Sequence, residues 1–404
     1  MHEQLPFPGE LLIYDYRKEV PPIRGDAIKV LQWNVERNYE HEAIIATLRK
    51  LDPDIAILQE IDIHCKRSGG RNHMQELCET LSLKGGFVCE FQELDSPLRR
   101  PRDEGGGVHG NAILSKYDVT FGILHHRYHG YNWDRDGEKL REPRKGKRYT
   151  LIGTVQAPHL PPLRCYSVHL EVFTGIIGRI SAFSEIFEDA ALHVKGTPHQ
   201  LIFGDLNTMA HSIARLSSKY ARDRYRYLSL GQTESAWWDQ KLLRFHRSDG
   251  PVNYLLAQAA IPAFLQSFIS FLIGSSTHER WSGFPPGVLR MARNPGFYDP
   301  WDPEDVTLEN PEYFGLFKGK LDWTLLRCLE VTQKWCGNKD YSASDHAYLM
   351  VEAIPDKPDQ IEQEYMTWLH RRQRPLKSHP FIHARISMAL LVLLSMVVLN
   401  VIIS

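Results

Sequence analysis

Eight polar residues stand where apolar segments of this chain give out. They are Asn34 in VLQWNVE, Glu60 in IAILQEID, His169 in CYSVHLE, Asp205 and Asn207 in LIFGDLNT, Asp322 in KLDWTLL, and Asp345 with His346 in SASDHAYLM. Side chains alternate along a strand, so Leu31, Trp33 and Val35 take one face and Asn34 the other. Val168 and Leu170 leave His169 opposite them in the same way, and Asp205 and Asn207, two apart, point into one space. An isolated buried carboxylate is costly and must neutralise or find a partner. Several carboxylates gathered at one rim repel unless a cation lies between them, and carboxylate and amide oxygens suit Mg²⁺. The chemistry on offer is a phosphoryl oxygen held by the metal and water oriented or deprotonated by a carboxylate. Singly, each residue has an ordinary alternative as a turn cap, a solvated acid or a packed histidine. Six such sites in sequence argue for function.

The elements that must position them read as strands joined by helices. IKVLQWNVE is a strand, and YEHEAIIATLRKL carries Ile44, Ile45 and Leu48 at helical spacing. DPD breaks that helix before the strand IAILQEID. RNHMQELCETLSL is a second helix, and GGFVCEFQEL and GNAILSKYDVTFGIL are strands around the Gly-rich loop DEGGGVHG. REPRKGKR is a basic loop leading into the strand YTLIGTVQA. LRCYSVHLE is a strand, GRISAFSEIFEDAALHV an amphipathic helix and QLIFGDLN a strand. GKLDWTLLRCLE and SASDHAYLMVEA are two further strands, with Asp322 near the start of one and Asp345 and His346 opening the other. Many strands and few helices in mixed order predict α/β layers with sheets packed on each other.

The 404 residues carry a formal net charge of −1, which leaves no global electrostatic footprint for nucleic acid. Any polyanion must meet local basic patches. The six cysteines form no CxxC pair and are read as free thiols of a reducing compartment. The opening MHEQLPFPGELL lacks the pattern of a secretory signal. At the other end, ISMALLVLLSMVVLNVIIS has no charge and no polar face. At about 1.5 Å per residue it spans a hydrocarbon core of roughly 30 Å. Arg371, Arg372, Arg374, Lys377 and Arg385 precede it and agree with a cytosolic flank. The expected organisation is an irregular lead-in over 1–27, a catalytic domain over 28–355, a linker over 356–385 and a membrane anchor over 386–403. The anchor faces the domain to the cytosol, with the endoplasmic reticulum the favoured membrane.

In their order, QWNVE, LQEID, SVHLE, GDLNT, LDWTLL and SDH resemble the endonuclease/exonuclease/phosphatase superfamily. That group includes pancreatic-type deoxyribonuclease, abasic-site endonucleases, inositol polyphosphate 5-phosphatases, neutral sphingomyelinases and deadenylases. The resemblance covers about residues 28–353. It implies a four-layer αββα sandwich of two mixed β-sheets, with a site at one sheet rim and, in this chain, one C-terminal transmembrane helix added. It implies Glu60 as principal Mg²⁺ ligand (Mn²⁺ as substitute), helped by Asn34 and Asp345. Asp205 would activate or orient water, Asn207 would hold a phosphate oxygen, and His346 would contact the phosphate with Asp322 setting its tautomer. His169 would donate to the phosphate or the leaving oxygen. Asn111 in GNAILSK, and Arg141 or Arg144 in REPRKGKR, would contact substrate.

The expected activity is a phosphodiesterase or nuclease tethered to a membrane, acting on nucleic acid or a phospholipid headgroup. The alternatives are a lipid-headgroup phosphodiesterase or phosphatase (phosphoinositide or sphingolipid) and, less favoured, an inactive tethered binding module. No obligate protein partner is expected. The departure from a minimal nuclease is the long stretch over about 210–318. It holds RLSSKYARDRYRYL, the apolar run YLLAQAAIPAFLQSFISFLIG and the loop GFYDPWDPED. The first reads as a solvated helix with tyrosines packed inward, the second as a core or interfacial helix.

Overall fold

In β2 (Ile28–Asn34), Ile28 and Val30 join one buried apolar cluster while Leu31 and Trp33 join another. The same division holds in β3 (Ile55–Ile63), where Ile55 and Ile57 point one way and Ala56 and Leu58 the other. A strand buried on both faces needs a layer on each, and two such layers are present. The computed structural model describes residues 5–19, 26–208, 234–243, 292–310 and 317–356. The chain divides into two units, Met1–Glu362 and Gln363–Ser404, and all described residues belong to the first.

The larger sheet runs β1 (Leu11–Asp15), β4 (Lys84–Glu93), β5 (Val108–Ser115), β3, β2, β15 (Tyr348–Pro355), β14 (Leu329–Gly337), with β7 (Arg144–Gly146) paired to β4. β2 and β3 are parallel and the other pairs antiparallel. The second sheet runs β13 (Asp322–Arg327), β10 (His199–Asp205), β9 (Leu163–His169), β8 (Thr150–Gln156), β6 (Asp118–Leu124), with β9 and β10 parallel. β11 (Leu308–Asn310) and β12 (Phe317–Gly319) form a small ribbon.

The sheets meet face to face through Val30, Ile57, Val88, Ile113, Leu151, Cys165, Leu201 and Phe203. Helices α1 (His41–Leu51) and α2 (His73–Leu81) cover the outer face of the larger sheet with Ile44, Leu48, Met74 and Leu77. After the single turn α3 (Trp133–Asp136) comes α4 (Ile176–His193). Asp189 of α4 bonds the Arg164 guanidinium and Tyr166 hydroxyl of β9, and the Ala190 carbonyl accepts from Gln200 of β10. Two mixed sheets with outer helices are therefore the architecture, as the strand order led us to expect.

Four details differ from the sequence reading. The lead-in is not wholly irregular: β1 pairs with β4 at the edge of the sheet. The basic loop REPRKGKR contains β7, because Arg144–Gly146 reach back to pair with β4. GKLDWTLLRCLE is not one strand. Cys328, at φ +53, breaks it into β13 and β14, which lie in different sheets. Asp345 and His346 do not open β15 but stand in the irregular segment before it.

The loop GFYDPWDPED packs on the second sheet: Trp301 donates to Thr324 at 2.9 Å and Phe297 stacks on Phe187 at 5.7 Å. The Arg/Tyr segment, the apolar run 254–274, the linker and the 386–403 anchor lie outside the described residues. Among the described residues no helix is long and apolar enough to cross a membrane.

Candidate active site

The register of the second sheet puts three of the expected residues in one row. Asp205 at the end of β10 pairs with Asp322 at the start of β13 on one side and with His169 at the end of β9 on the other. Gly204 permits this. A Cβ added there would stand 1.9 Å from the Val168 carbonyl oxygen, so the close approach of β9 to β10 requires glycine. The facing sheet supplies Asn34 from the end of β2 and Glu60 from β3. Glu60 sits at a register shift between Leu58 and Ile61, at φ +63, in a conformation few side chains adopt.

Asp205 Oδ2 is the centre of the cluster. Asn34 Nδ2 donates to it at 3.1 Å, His169 Nε2 lies 3.6 Å away and His346 Nε2 3.8 Å away. Its other oxygen accepts the Asn207 backbone N–H at 2.8 Å. His346 Nδ1 meets Asp322 Oδ2 at 2.7 Å, and Asp322 Oδ1 accepts from Gln32 Nε2 at 2.9 Å. Trp33 Nε1 donates to the His346 carbonyl at 2.9 Å and Ser344 Oγ to the Asn34 carbonyl at 2.7 Å, which ties the loop carrying Asp345 and His346 to β2.

Accessibility grades across the cluster. The Asp322 side chain is 0% exposed and Asp205 2%, while Glu60 is 21% and Asp345 39% exposed. The mouth of the site is on the Glu60 and Asp345 side. Glu36 belongs there too, since its Oε2 accepts the Asp345 backbone N–H at 2.9 Å. It lies in a run of three left-handed residues, Glu36, Arg37 and Asn38, at φ +44, +60 and +57. Strain of this kind is held only where surrounding contacts impose it.

Burial raises Glu36 to about 7, with Asp345 adding to it. Burial likewise raises Asp345, and it raises Asp205 to about 7 with Asp322 beside it. Burial works against charge on Glu60, yet His109, Arg37 and the Asn34 amide hold it below its usual value. Burial also opposes a charged His346, but Asp322 and Asp345 push it well above the ordinary histidine value. His169 is held well below that value by burial and by Arg148.

Of the expected metal ligands, Glu60 and Asn34 are in contact, with Asn34 Nδ2 at 3.2 Å from Glu60 Oε1, and Asp345 flanks them beside His346 at 3.9 Å. Three carboxylates, those of Glu36, Glu60 and Asp345, and an amide form a hard-oxygen donor set. Burial raises two of the acids, Glu36 and Asp345, and repulsion from neighbouring carboxylates adds to it; a cation between them would relieve both, so the residues fit Mg²⁺. The Asn34 NH₂ lies between Glu60 and Asp205, so the amide must turn over to offer its oxygen. Asp205, Asp322 and His346 also lie close enough to one another to form a ligand set.

Asn207 is placed by its backbone more than by strand alternation. At φ +49 it turns past the strand end, and its Nδ2 donates to the Leu170 carbonyl at 2.8 Å. Asn111 is fully buried on β5, between the partners of Leu58 and Ile61, and so faces the bulge that carries Glu60. Among the described residues its amide nitrogen and oxygen are buried without a hydrogen-bond partner. Arg144 is buried over Trp133 at 4.2 Å and pairs with Glu93 and Glu142. Arg141 is exposed at the end of the preceding turn, and among the described residues nothing ties it to the cluster.

Sequence reasoning missed Gln32, Glu36, Arg37, Arg148 and the His109–Asp62 pair. Gln32 and Asn34 stand two apart on the inner face of β2, a polar alternation that was legible. Arg37 lies 3.7 Å from Glu60 and 3.0 Å from Glu142, and Arg148 bonds Glu90 at 2.7 Å. His109 meets Asp62 at 2.8 Å. Nothing local marks any of these.

A two-sheet sandwich with this acid, amide and imidazole set at one rim defines a class, and the chain belongs to the endonuclease/exonuclease/phosphatase family, whose pattern matches residues 31–346. Among solved structures the chain is similar to an endonuclease/exonuclease/phosphatase from Beutenbergia cavernae, with 16% identity over 82% of this chain and 72% of that one and a TM-score of 0.48. It is similar to the catalytic domain of human Nocturnin, with 14% identity over 85% of this chain and 96% of that one and a TM-score of 0.41. It is also similar to truncated Caenorhabditis elegans TDP2, with 14% identity over 82% of this chain and 98% of that one and a TM-score of 0.42. No protein of curated function matches the chain.

Proposed function

We propose that this protein is a divalent-metal-dependent phosphoester hydrolase of phosphodiesterase or nuclease type. The observation that carries the reading is the convergence on Asp205 Oδ2 of Asn34, His169 and an imidazole already paired to a carboxylate. Asp205 orients or deprotonates the attacking water. Asp322 fixes the His346 tautomer and raises basicity at the nitrogen that faces the phosphate. His169, neutral by burial, donates to the phosphate or leaving oxygen. Asn207 and the unpartnered amide of Asn111 contact phosphate or substrate, and Arg144 adds positive charge behind them. Glu60, Asn34 and Asp345, with Glu36, would hold Mg²⁺ or Mn²⁺, which supplies charge neutralisation and a fixed position for a non-bridging phosphate oxygen.

The uncharged 386–403 segment supports a membrane tether with the catalytic domain in the cytosol, the endoplasmic reticulum being the favoured membrane. That tether is also what favours the second reading, a lipid-headgroup phosphodiesterase or phosphatase. The deciding experiment profiles the full chain in detergent against single- and double-stranded oligonucleotides and defined phospholipids, with Mg²⁺ and Mn²⁺. Oligonucleotide cleavage that Asp205→Asn abolishes is the expected result. Turnover confined to a phospholipid selects the second reading. No turnover on any substrate with either ion would leave only a binding module.

A further inference from the structure

His41 is the first residue of α1 and His73 the first of α2, and the two rings meet with centroids 4.3 Å apart on the outer face of the larger sheet. Glu76, one turn further along α2, completes a group of three whose ligand atoms lie within 4.8 Å of one another. This group shares no residue with the candidate active site.

Three features distinguish it from a pair of packed histidines. Among the described residues, both ring nitrogens of His41 and the Nδ1 of His73 are buried without a hydrogen-bond partner, the residues being 4% and 1% exposed. Orphaned buried polar atoms are costly and rare. His73 Nε2 meets the Ser68 carbonyl at 2.9 Å. It must be the protonated nitrogen, because a carbonyl only accepts, so the lone pair is on Nδ1. A ligand histidine usually has its remaining N–H anchored in this way. His41 Nε2 lies 3.2 Å from Glu76 Oε2 but outside hydrogen-bond geometry. Adjacent ligands of a tetrahedral zinc ion, with bonds of about 2.0–2.1 Å, stand about 3.3 Å apart with their lone pairs aimed at the metal rather than at each other.

Glu76 has an outer partner as well. Arg71 Nη2 stands 2.5 Å from its Oε2, and Arg71 is itself bonded to Glu42. A carboxylate oxygen has two lone pairs, so Arg71 can orient Glu76 while the other lone pair faces inward. Burial holds His41 down to about 4 and His73 below its ordinary value, so both imidazoles are neutral at physiological pH. Two imidazoles and a carboxylate select zinc-type ions over Mg²⁺.

We propose that His41 Nε2, His73 Nδ1 and Glu76 bind a four-coordinate transition-metal ion of zinc type, with water as fourth ligand, that ties the first turn of α1 to the first turn of α2. One ligand atom from each of the three residues already lies within 4.8 Å of the others, so closing the set asks for side-chain adjustment rather than backbone movement.

Co²⁺ alone, added to the full chain in detergent after chelation, is the probe. The expected result is the intense visible absorption of four-coordinate Co²⁺ at one equivalent, displaced by Zn²⁺ and retained in Glu60→Gln. His41→Gln and His73→Gln should weaken Co²⁺ at least tenfold. Glu76→Gln, a near-isosteric change at a side chain that is 32% exposed, should do the same and decides the matter if the histidine variants misfold. No such band in the unsubstituted chain, an unchanged band in Glu76→Gln, or a band lost in Glu60→Gln overturns the site.

Discussion

At the scale of single residues, the proposed mechanism places its heaviest demand on Asp205 and His346. Removing a positioned acid or base costs roughly 10²–10⁴ in rate. Asp205→Asn and His346→Gln should therefore lower kcat by about 10³-fold, with thermal melting within a few degrees of the unsubstituted protein. Near-native turnover in either would remove the mechanism. Glu60→Gln should raise the Mg²⁺ concentration needed for half-maximal rate, read from a metal titration at saturating substrate. The pH dependence has a definite sign. Asp205 is pushed up to about 7, mainly by burial, and is useful as a carboxylate, so turnover should fall as pH drops through about 7. A divalent cation nearby favours the ionised form, so that limb should move to lower pH as Mg²⁺ rises. A limb indifferent to Mg²⁺ would assign the titration to another group. Glu60, Asp205 and Asn207 were visible as polar interruptions of apolar strands. Arg148 was not, because its partner Glu90 lies far along the chain and nothing local marks it.

At the scale of elements, the site depends on how strands end. Gly204 lets β10 approach β9 closely enough to align Asp205 with His169. Gly204→Ala must push backbone against backbone, and the expected outcome is a loss of several kcal/mol, seen as a lower melting temperature or insoluble protein. A fully stable variant would show that the strands can part without penalty. The contact between α1 and α2 should leave a mark in the pH dependence of stability. With metal chelated, His41 titrates near 4 when folded but near the ordinary 6.5 when unfolded. The unfolded chain then binds more protons between those values, so stability is complete above about 6.5 and declines as pH falls toward 4. His41→Gln should flatten that decline in denaturant titrations. Helices α1, α2 and α4 were all read as helices from the sequence, α1 by its apolar spacing and α4 by its amphipathic pattern. β7 and β1 were not, since both are short edge strands whose identity comes from pairing with β4.

At the scale of the whole molecule, the question is how the catalytic unit meets its substrate. A tether at 386–403 predicts that the full chain pellets with membranes and that a chain ending at Arg385 does not. Pelleting of the shortened chain would move attention to the apolar run at 254–274. The order of motifs along the chain already named the family and most of the candidate residues. That order is local information: a polar residue interrupting an apolar strand is visible wherever it occurs. Sequence alone also dictated the two-faced strands, because a β-strand with large apolar residues on both faces must be covered on both. Only the tertiary structure decided which carboxylates share a space, which end of the Asn34 amide and which nitrogen of His346 they meet, and that Glu36 joins Asp345 at the mouth. Those facts depend on inter-strand register and on left-handed turns at Glu36, Glu60 and Asn207. Both are set by long-range packing between sheets whose strands lie up to 300 residues apart in the chain, as with Gln32 and Asp322, separated by 290.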